Sequence, residues 1–480
     1  MSKQEPPKKH PILSSFFFVL LVVELASSTI FVLALKRLNL LQDWQLVVAA
    51  AVLFSIFLIN FVFLSIKKRG VFSKIICTIL AFAAIIGSVG GVYLIYQATS
   101  FIETAITGNY ETQTYKVLSL KSSAYDSLDK LKGQSIGFIS TNPNLTETKD
   151  ELNKSVEYTA AEYAELGSLV LDLYDAKIPA VVLSDSYIDY LAEESETTFA
   201  DDTRVIFEFS IRTETPDLRR AVDVTTEPFI IYISGSDAPS GKITDRARSD
   251  VNILAVVNPK ESKILLVNIP RDTYVQLHGT TGLRDKLTHA GMYGIEMSKT
   301  TIEDFLGIEI NYTVKVGFHT VVKVVDAMGG IDIDSEWDFT REGCHYKAGT
   351  THVDGRCALR FARERKFYGT GDKKRGENQQ HILTRIIEKM SKPENARNYT
   401  KTLEAAKGSF ETSLTYDEIT DFARYQLNNL QHWTVTSIQI DGESDMQPTY
   451  SLGSQKLYVM YADEASVKNA QNKIAEYLKN

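Results

Sequence analysis

Three long apolar stretches open the chain, and the pattern then changes character. Apolar residues run from Ile12 to Leu35, from Trp44 to Ile66 and from Val71 to about Ala98. Each exceeds the roughly 20 residues that a helix needs to cross a bilayer. Three transmembrane helices are therefore expected over residues 1–99. Trp44, Tyr93 and Tyr96 lie near run ends, where amphipathic rings favour the interface. Glu24 interrupts the first run and is expected to face the neighbouring helices, because a carboxyl is costly in hydrocarbon. The apolar runs are too long for a cleavable signal peptide, and no small-residue cleavage site follows the first.

Beyond Ser100 the pattern is that of a folded α/β chain. Phe101 to about Leu120 reads as a polar connector. Gln134–Ser140, Pro179–Leu183 and Arg204–Ile211 read as strands, and Glu147 to about Ala176 and Asp185 to Glu194 as helices. Strands alternating with helices predict a small accessory α/β domain over residues 100–215, a spacer or docking module. Thr213 to Glu227 is a polar linker. Phe229–Ser234, Val251–Val257 and Lys263–Ile269 follow as near-continuous apolar runs, the mark of strands covered on both faces. Strands near Tyr312–Val316 and Thr434–Ile440 are expected as well. Helices are expected near Thr320–Met328, Gln379–Met390 and Asp417–Asn428, and from about Asp463. The fold class is thus α/β: three N-terminal transmembrane helices, the accessory domain, and a main domain over residues 216–480. That domain has a central mixed sheet flanked by helices and C-terminal helices.

Charge adds a direction. Lys3, Lys8 and Lys9 precede the first span, and Lys67, Lys68, Arg69 and Lys74 lie between the second and third. Only Lys36 and Arg37 lie between the first and second. The excess of basic residues places the N-terminus in the cytoplasm and, after three crossings, the large C-terminal part outside the cell. The net charge is -8. An acidic chain whose basic residues lie outside the cell is a poor nucleic-acid binder or transcriptional regulator. Cys344 and Cys357 fall in the exported part, where a disulfide and two buried thiols are both compatible with the sequence; Cys77 lies in the third span.

Against this acidic background the run Arg360 to Arg375 carries seven basic side chains and only Glu364 and Asp372. Phe361, Ala362, Phe367 and Tyr368 interrupt it, so part of it packs. Arginine forks suit phosphate. In a strand, Leu359, Phe361, Arg363 and Arg365 would share one face, apolar first and cationic after, matching a ligand with an apolar tail and an anionic head. In a helix Arg363 and Arg365 would diverge, so joint phosphate binding requires the chain to leave helical geometry near Arg363. Asp237, Arg271 and Asp272 fall at strand carboxyl ends, where sites of open α/β sheets gather, and Asp250 lies just before the second strand. Asp237 and Asp250 are candidate oxygen ligands for Mg²⁺. The eight histidines show no ligand spacing, and His278, His289, His319 and His381 read as structural.

These residues carry a resemblance. Gly235-Ser-Asp237, Arg248-Ser-Asp250, Ile269-Pro-Arg-Asp-Thr-Tyr-Val275, Asp326-Ala-Met-Gly-Gly-Ile331, Ala358-Leu-Arg-Phe-Ala-Arg-Glu-Arg365, Asp372-Lys-Lys-Arg375 and Gln379-Gln380 occur in order between about Phe229 and Met390. The segment resembles the LytR-CpsA-Psr family, and closely resembles its streptococcal capsule-biosynthesis members. The three spans and the accessory domain also fit that branch. The resemblance implies a polyprenyl phosphate or pyrophosphate lipid with its head held by Arg248, Arg271, Arg363, Arg365, Arg375 and Gln379. It implies Mg²⁺ at Asp237 and Asp250, and phosphotransfer of a glycan-1-phosphate, capsular polysaccharide or teichoic acid, to peptidoglycan. Asp237 is the first choice of base and Asp272 the second, with Arg363 and Arg365 stabilising charge. Partners implied are the lipid, peptidoglycan, the capsular glycan, the membrane and capsule assembly proteins. Two positions depart from the family pattern: Pro239 and Asn378 each stand where arginine is common, and Arg246 or Arg248 could compensate for the first. The competing readings are a non-catalytic lipid-binding regulator of capsule assembly and a pyrophosphatase using water as acceptor, the latter also conceivable as a side activity.

Overall fold

The computed structural model describes residues 11–480 apart from 67–69, 107–109, 194–197, 237–242, 244–245, 365–371, 393–398, 409, 430–431 and 480. Two compact units emerge, one of residues 1–103 and 416–430 and the other of residues 104–415 and 431–480.

The first unit holds the apolar runs as helices Pro11–Leu38, Asp43–Ser65 and Val71–Ala105, together with helix Tyr416–Asn429. All three N-terminal helices are long and apolar enough to cross a membrane. A strongly polar contact lies inside them: the Asn60 Nδ2 donates to Glu24 Oε1 at 2.8 Å, and both residues are fully buried. Glu24 thus faces its neighbouring helix, as its cost in hydrocarbon demands. The third helix runs seven residues past the expected end at Ala98.

The second unit begins with a sheet of its own. Strands β1 (Tyr110–Leu120), β2 (Ser135–Ile139), β3 (Thr159–Tyr163), β4 (Ala180–Ser184) and β5 (Thr203–Glu214) are ordered β3-β2-β4-β1-β5. Two expectations change here. The stretch from Phe101 to Leu120 is no connector, because Tyr110–Leu120 is the sheet's long inner strand. The expected helix from Glu147 to Ala176 is instead helix Leu145–Asn153, strand β3 and helix Leu166–Tyr174. Strand β3 lies at the sheet edge and is largely exposed, so it carries no apolar face to announce it.

The main sheet has six strands in the order β16-β11-β6-β7-β8-β17. These are β6 (Phe229–Ser236), β7 (Val251–Asn258), β8 (Lys263–Asn268), β11 (Tyr312–Gly317), β16 (Phe410–Thr412) and β17 (Thr434–Gln439). Strand β7 is buried at every position because both sheet faces are covered. Strands β6, β8, β11 and β17 run in one direction, and β7 and β16 oppose them. One edge of the sheet therefore gathers the carboxyl ends of four strands and the amino end of β7.

Alternation divides the two faces. Ile230, Tyr232, Leu254, Val256, Leu265 and Val267 pack with helices Ile295–Leu306 and Glu464–Tyr477. Each such aliphatic side chain contributes about 1.5–3 kcal/mol by leaving water. The opposite face carries helix Asp372–Ser391, whose Gln380 Nε2 donates to the carbonyls of Leu266 at 3.2 Å and Ile438 at 2.7 Å.

Short strands complete the unit. Strands β9 (Tyr274–Val275) and β10 (Asp285–Lys286) pair with each other. Strands β12 (Ile331–Ser335) and β15 (Gly349–Val353) pair, as do β13 (Phe339–Arg341) and β14 (Cys344–Tyr346). Strands β18 (Gly442–Thr449) and β19 (Gly453–Ala462) form a hairpin. A disulfide joins Cys344 to Cys357, with Cα atoms 5.6 Å apart. It ties β14 to helix Gly355–Ala362.

Candidate functional site

The carboxyl edge of the main sheet assembles a cluster of opposite charges. Asp250, one residue before β7, bonds its amide to the Gly235 carbonyl at 2.8 Å and so sits beside the end of β6. A Cβ on Gly235 would lie 2.7 Å from the Cβ of Val251, so the two strands approach closely there. Arg271, three residues past β8, donates its Nη1 to Asp250 Oδ1 at 2.8 Å. Its Nε lies 3.7 Å from Asp272 Oδ2. Asp272 is buried, with Lys286 Nζ 3.0 Å from its other oxygen. Arg248 is buried within the same turn.

Lys286 is a cation that the sequence reading missed. It follows Arg284-Asp285 in a polar stretch that resembles a surface turn, yet its side chain is only 4% exposed. The neighbouring Asp285 explains why this segment folds inward. Asp285 Oδ1 lies 2.7 Å from His289 Nδ1, and its Oδ2 accepts from the Ser451 amide at 2.9 Å. His289 is fully buried and structural, as expected; His278 pairs with Asp304 at the surface at 2.6 Å, and His319 is exposed.

Arg363 ends the helix that bears it. Asp354 caps the helix start by accepting from the Cys357 amide at 2.7 Å, and Ala358, Phe361 and Ala362 turn inward. Arg363 is the C-cap residue. Of the two geometries weighed for this segment, the helix holds from Gly355 to Ala362, so Leu359 and Phe361 do not share a strand face. The chain nevertheless leaves helical geometry at Arg363, where joint phosphate binding would require it. Its guanidinium lies 4.9 Å from the Phe318 ring centroid, and Phe318 follows directly on the carboxyl end of β11.

Next to this edge lies a partly open aliphatic face. Ile231 and Ile233 of β6 and Val314 and Val316 of β11 are only partly buried, although they sit in the middle of the sheet. At the far end of the same face Phe229 and Tyr312 are buried edge to face, with ring centroids 5.8 Å apart. The apolar surface is thus closed at one end, and at the other it reaches Phe318 and Arg363.

The remaining expected residues fall into three groups. Arg375 and Gln379 are partly buried on helix Asp372–Ser391. Asn378 donates to the carbonyls of Phe361 at 3.0 Å and Glu364 at 3.5 Å, fastening the end of the Arg363 helix. Arg246 is drawn away: its Nε lies 3.1 Å from Glu111 of β1, in a pair buried on both sides. Asp237, Pro239 and Arg365 lie outside the described residues.

Mg²⁺ takes hard oxygen donors and often shares one or two carboxylates with substrate phosphates. Asp250 fits that use, with a carboxylate at the sheet edge beside the chain leading to Asp237. Asp272 fits less well, because Lys286 and Arg271 crowd it. Among the described residues no group of three or more His, Cys, Asp and Glu is arranged to hold a metal ion.

Over 254 residues the chain is 32% identical to the polyisoprenyl-teichoic acid–peptidoglycan teichoic acid transferase TagU of Bacillus mycoides, covering 53% of this chain and 80% of the relative. A protein of the same name from Enterococcus faecalis is 32% identical over 198 residues, 41% of this chain and 65% of its own. Among solved structures, B. subtilis TagV matches with a TM-score of 0.44 at 30% identity, over 53% of this chain and 98% of that one. The LytR_cpsA_psr family model spans residues 185–476, from the accessory helix at Asp185 through the charged sheet edge to the last helix, and the chain belongs to that family.

Proposed function

We propose that the protein is a membrane-anchored transferase that passes a glycopolymer from a polyprenyl-pyrophosphate carrier to peptidoglycan. The observation that carries this reading is that Arg271 and Lys286 gather at the carboxyl edge of the sheet whose strands β6 and β11 leave Ile231, Ile233, Val314 and Val316 only partly buried, with Arg363 over Phe318 just past the end of β11. An apolar face bordered by cations suits a lipid with a pyrophosphate head. The relatives in Bacillus mycoides and Enterococcus faecalis are polyisoprenyl-teichoic acid–peptidoglycan teichoic acid transferases by name, which supports the same class of transfer here. The cargo here is a wall glycopolymer of that class, capsular polysaccharide or teichoic acid.

In this mechanism a peptidoglycan sugar hydroxyl attacks the phosphorus nearer the glycan. The P–O bond to the bridging oxygen breaks, polyprenyl phosphate leaves, and the hydroxyl proton passes to a base, for which Asp237 is the first candidate. Arg271, Arg363 and Arg375, with Gln379 and Arg365, hold the head and stabilise the charge that grows on the leaving phosphate. Asp272, buried between Arg271 and Lys286, orients both cations. Magnesium held by Asp250 and Asp237 would neutralise pyrophosphate charge when bound. With water in place of the sugar, the same site would act as a pyrophosphatase. In this reading the domain lies outside the cell; the basic flanks of its spans support that side, as does the Cys344–Cys357 bridge, since disulfides persist in oxidising compartments.

Lipid extraction of the full chain purified in detergent, followed by mass spectrometry, tests the reading. Wild type is expected to carry polyprenyl phosphate, and the Arg271→Ala/Arg363→Ala double variant to lose it. Purified wild type given lipid-linked glycopolymer should label peptidoglycan. Release of free glycan phosphate alone, or lipid retained without turnover, would overturn the transferase assignment.

A further inference from the structure

Helix Asp372–Ser391 separates the charged sheet edge from a second polar region. Gly376 fixes its position: a Cβ there would run into the side chains of Asn268 and Gln439, which are bonded to each other at 2.7 Å. The helix's first turns therefore rest on the carboxyl ends of β8 and β17, three residues before Arg271. Lys374, Glu377, His381, Arg385 and Glu388 recur at helical spacing along another side of this helix. Opposite them stand β12 and the outer edge of β17, the last strand of its sheet. Two hollows of about 450 and 280 Å³ open along this side and share Glu377 and His381. Together they make one groove.

The chemistry of the groove differs from that of the sheet edge. Its cations are already neutralised. Lys374 lies 3.1 Å from both Glu336 and Glu377, and Arg385 pairs with Asp334 and, at 2.8 Å, with Glu388. The groove lining also carries the polar side chains of Ser437, Gln439 and Asp441, with Gln439 Oε1 accepting from Asn268. His381 Nε2 accepts from the Asp334 amide at 3.0 Å, so the neutral ring carries its hydrogen on Nδ1. Burial holds the imidazole below its ordinary range and keeps it neutral. A phosphate would find no surplus positive charge here, whereas sugar hydroxyl and acetamido groups would find both donors and acceptors.

Two further features point to a glycan. Trp337 follows the groove residues Ser335 and Glu336 and is 58% exposed. Its loop is held by Ser335, whose Oγ donates to the Trp337 carbonyl at 2.7 Å and accepts from the Trp337 amide at 3.3 Å. These bonds hold the Trp337 backbone beside the groove lining, and its uncovered indole offers an apolar plane to the C–H face of a pyranose. At the inner end Phe361 lines the groove and packs against His381, with centroids 6.1 Å apart, two residues before Arg363. The groove thus reaches the helix that ends at Arg363.

We propose that this groove is the acceptor subsite, binding a stretch of N-acetylated peptidoglycan glycan with Trp337 stacked on one ring and Glu377, His381 and Gln439 bonded to its polar groups. The inference rests on the transferase reading above but is measured apart from it. The probe is a soluble, peptide-free oligosaccharide of alternating N-acetylglucosamine and N-acetylmuramic acid, titrated by calorimetry into the full chain in detergent. Trp337→Ala should weaken binding about tenfold, and Glu377→Gln should weaken it less, with polyprenyl phosphate binding unchanged in both. In the transfer assay the acceptor KM should rise in both variants while kcat holds. Oligosaccharide binding that is absent from wild type, or equal in wild type and both variants, would sink the proposal, as would an unmoved acceptor KM. Groove-dependent oligosaccharide binding by a protein that transfers nothing would instead uphold this subsite and reject the transferase reading.

Discussion

The Arg271 guanidinium stands 2.8 Å from the Asp250 carboxylate, joining the chain that leaves β8 to the chain that enters its antiparallel neighbour β7. In the proposed mechanism the pair would let Arg271 present a cation to a phosphate while Asp250 stays within reach of a metal. Replacing Arg271 with Ala should lower transfer about 10²–10³-fold, the cost typical of removing one preorganised donor. Arg271→Lys should recover only part, because an ammonium cannot reproduce the fork. Transfer kinetics with lipid-linked donor check both, beside thermal unfolding to confirm the fold.

Asp250→Asn should raise the Mg²⁺ concentration needed for half-maximal transfer, and chelation should silence the wild type reversibly. A metal titration of the transfer rate reads both effects. Equal metal response in wild type and variant would remove Asp250 from that role.

Gly355 opens the helix that ends in Arg363, and a Cβ there would run into the backbone of Val322. Backbone cannot rotate aside as a side chain can. Gly355→Ala should therefore push this helix off helix Phe318–Ala327, which carries Phe318, at a cost of about 1–3 kcal/mol. Denaturant unfolding measures the loss. Polyprenyl phosphate affinity should fall in parallel, because Arg363 and Phe318 sit on the two helices being separated.

Removing the Cys344–Cys357 bridge by double substitution to Ser should cost about 3 kcal/mol, the loop-closure value for a separation of 13 residues. The thermal transition should drop by the same amount in wild type treated with reductant. A bridge without effect on either transition would mean that the β13–β14 hairpin is held by its aromatic packing alone.

Glu111 clamps β1 to the main domain. Its carboxyl lies 3.1 Å from both Arg246 and Lys315 and accepts from the Ile295 amide at 3.2 Å, with Glu411 also near Lys315 at 3.8 Å. Burial pulls this carboxyl upward, but Lys315 and Arg246 prevail and hold it below its ordinary value of 4.5. A depressed carboxylate stabilises the fold fully above that ordinary value. The contribution is lost as pH falls below it and through the lowered folded value. Thermal stability should thus decline on acidification below about pH 4.5. In Glu111→Gln this part of the decline should vanish. The variant should be less stable at neutral pH by about 3–5 kcal/mol, since two buried cations lose their partner.

Much of the architecture was legible because it is written in long patterns. The three apolar runs and the continuous strands at Phe229, Val251 and Lys263 are unambiguous at their length. Failures cluster where the pattern is short or exposed. Strand β3 is a solvent-facing edge, and Glu147–Ala176 has helix-forming composition on both sides of it. For Leu359 to Arg365 the sequence left strand and helix both open, because the charged residues draw attention to alternation. The cap at Asp354 and the inward spacing of Ala358, Phe361 and Ala362 were the signals that favoured a helix. Lys286 was invisible for a different reason: its burial depends on Asp272 and on the Asp285–His289 contact, which no local sequence pattern encodes.

Helix Asp372–Ser391 spends four neighbouring side chains on three destinations. Asn378 fastens the preceding helix, Gln380 grips two strands, and Glu377 and His381 face β12 across the groove. Each residue along a helix turns about 100° from the last. A one-residue insertion or deletion here would rotate every one of these groups off its partner together. This segment should therefore accept changes of side chain one at a time yet reject any change of length, unlike the loops that flank it.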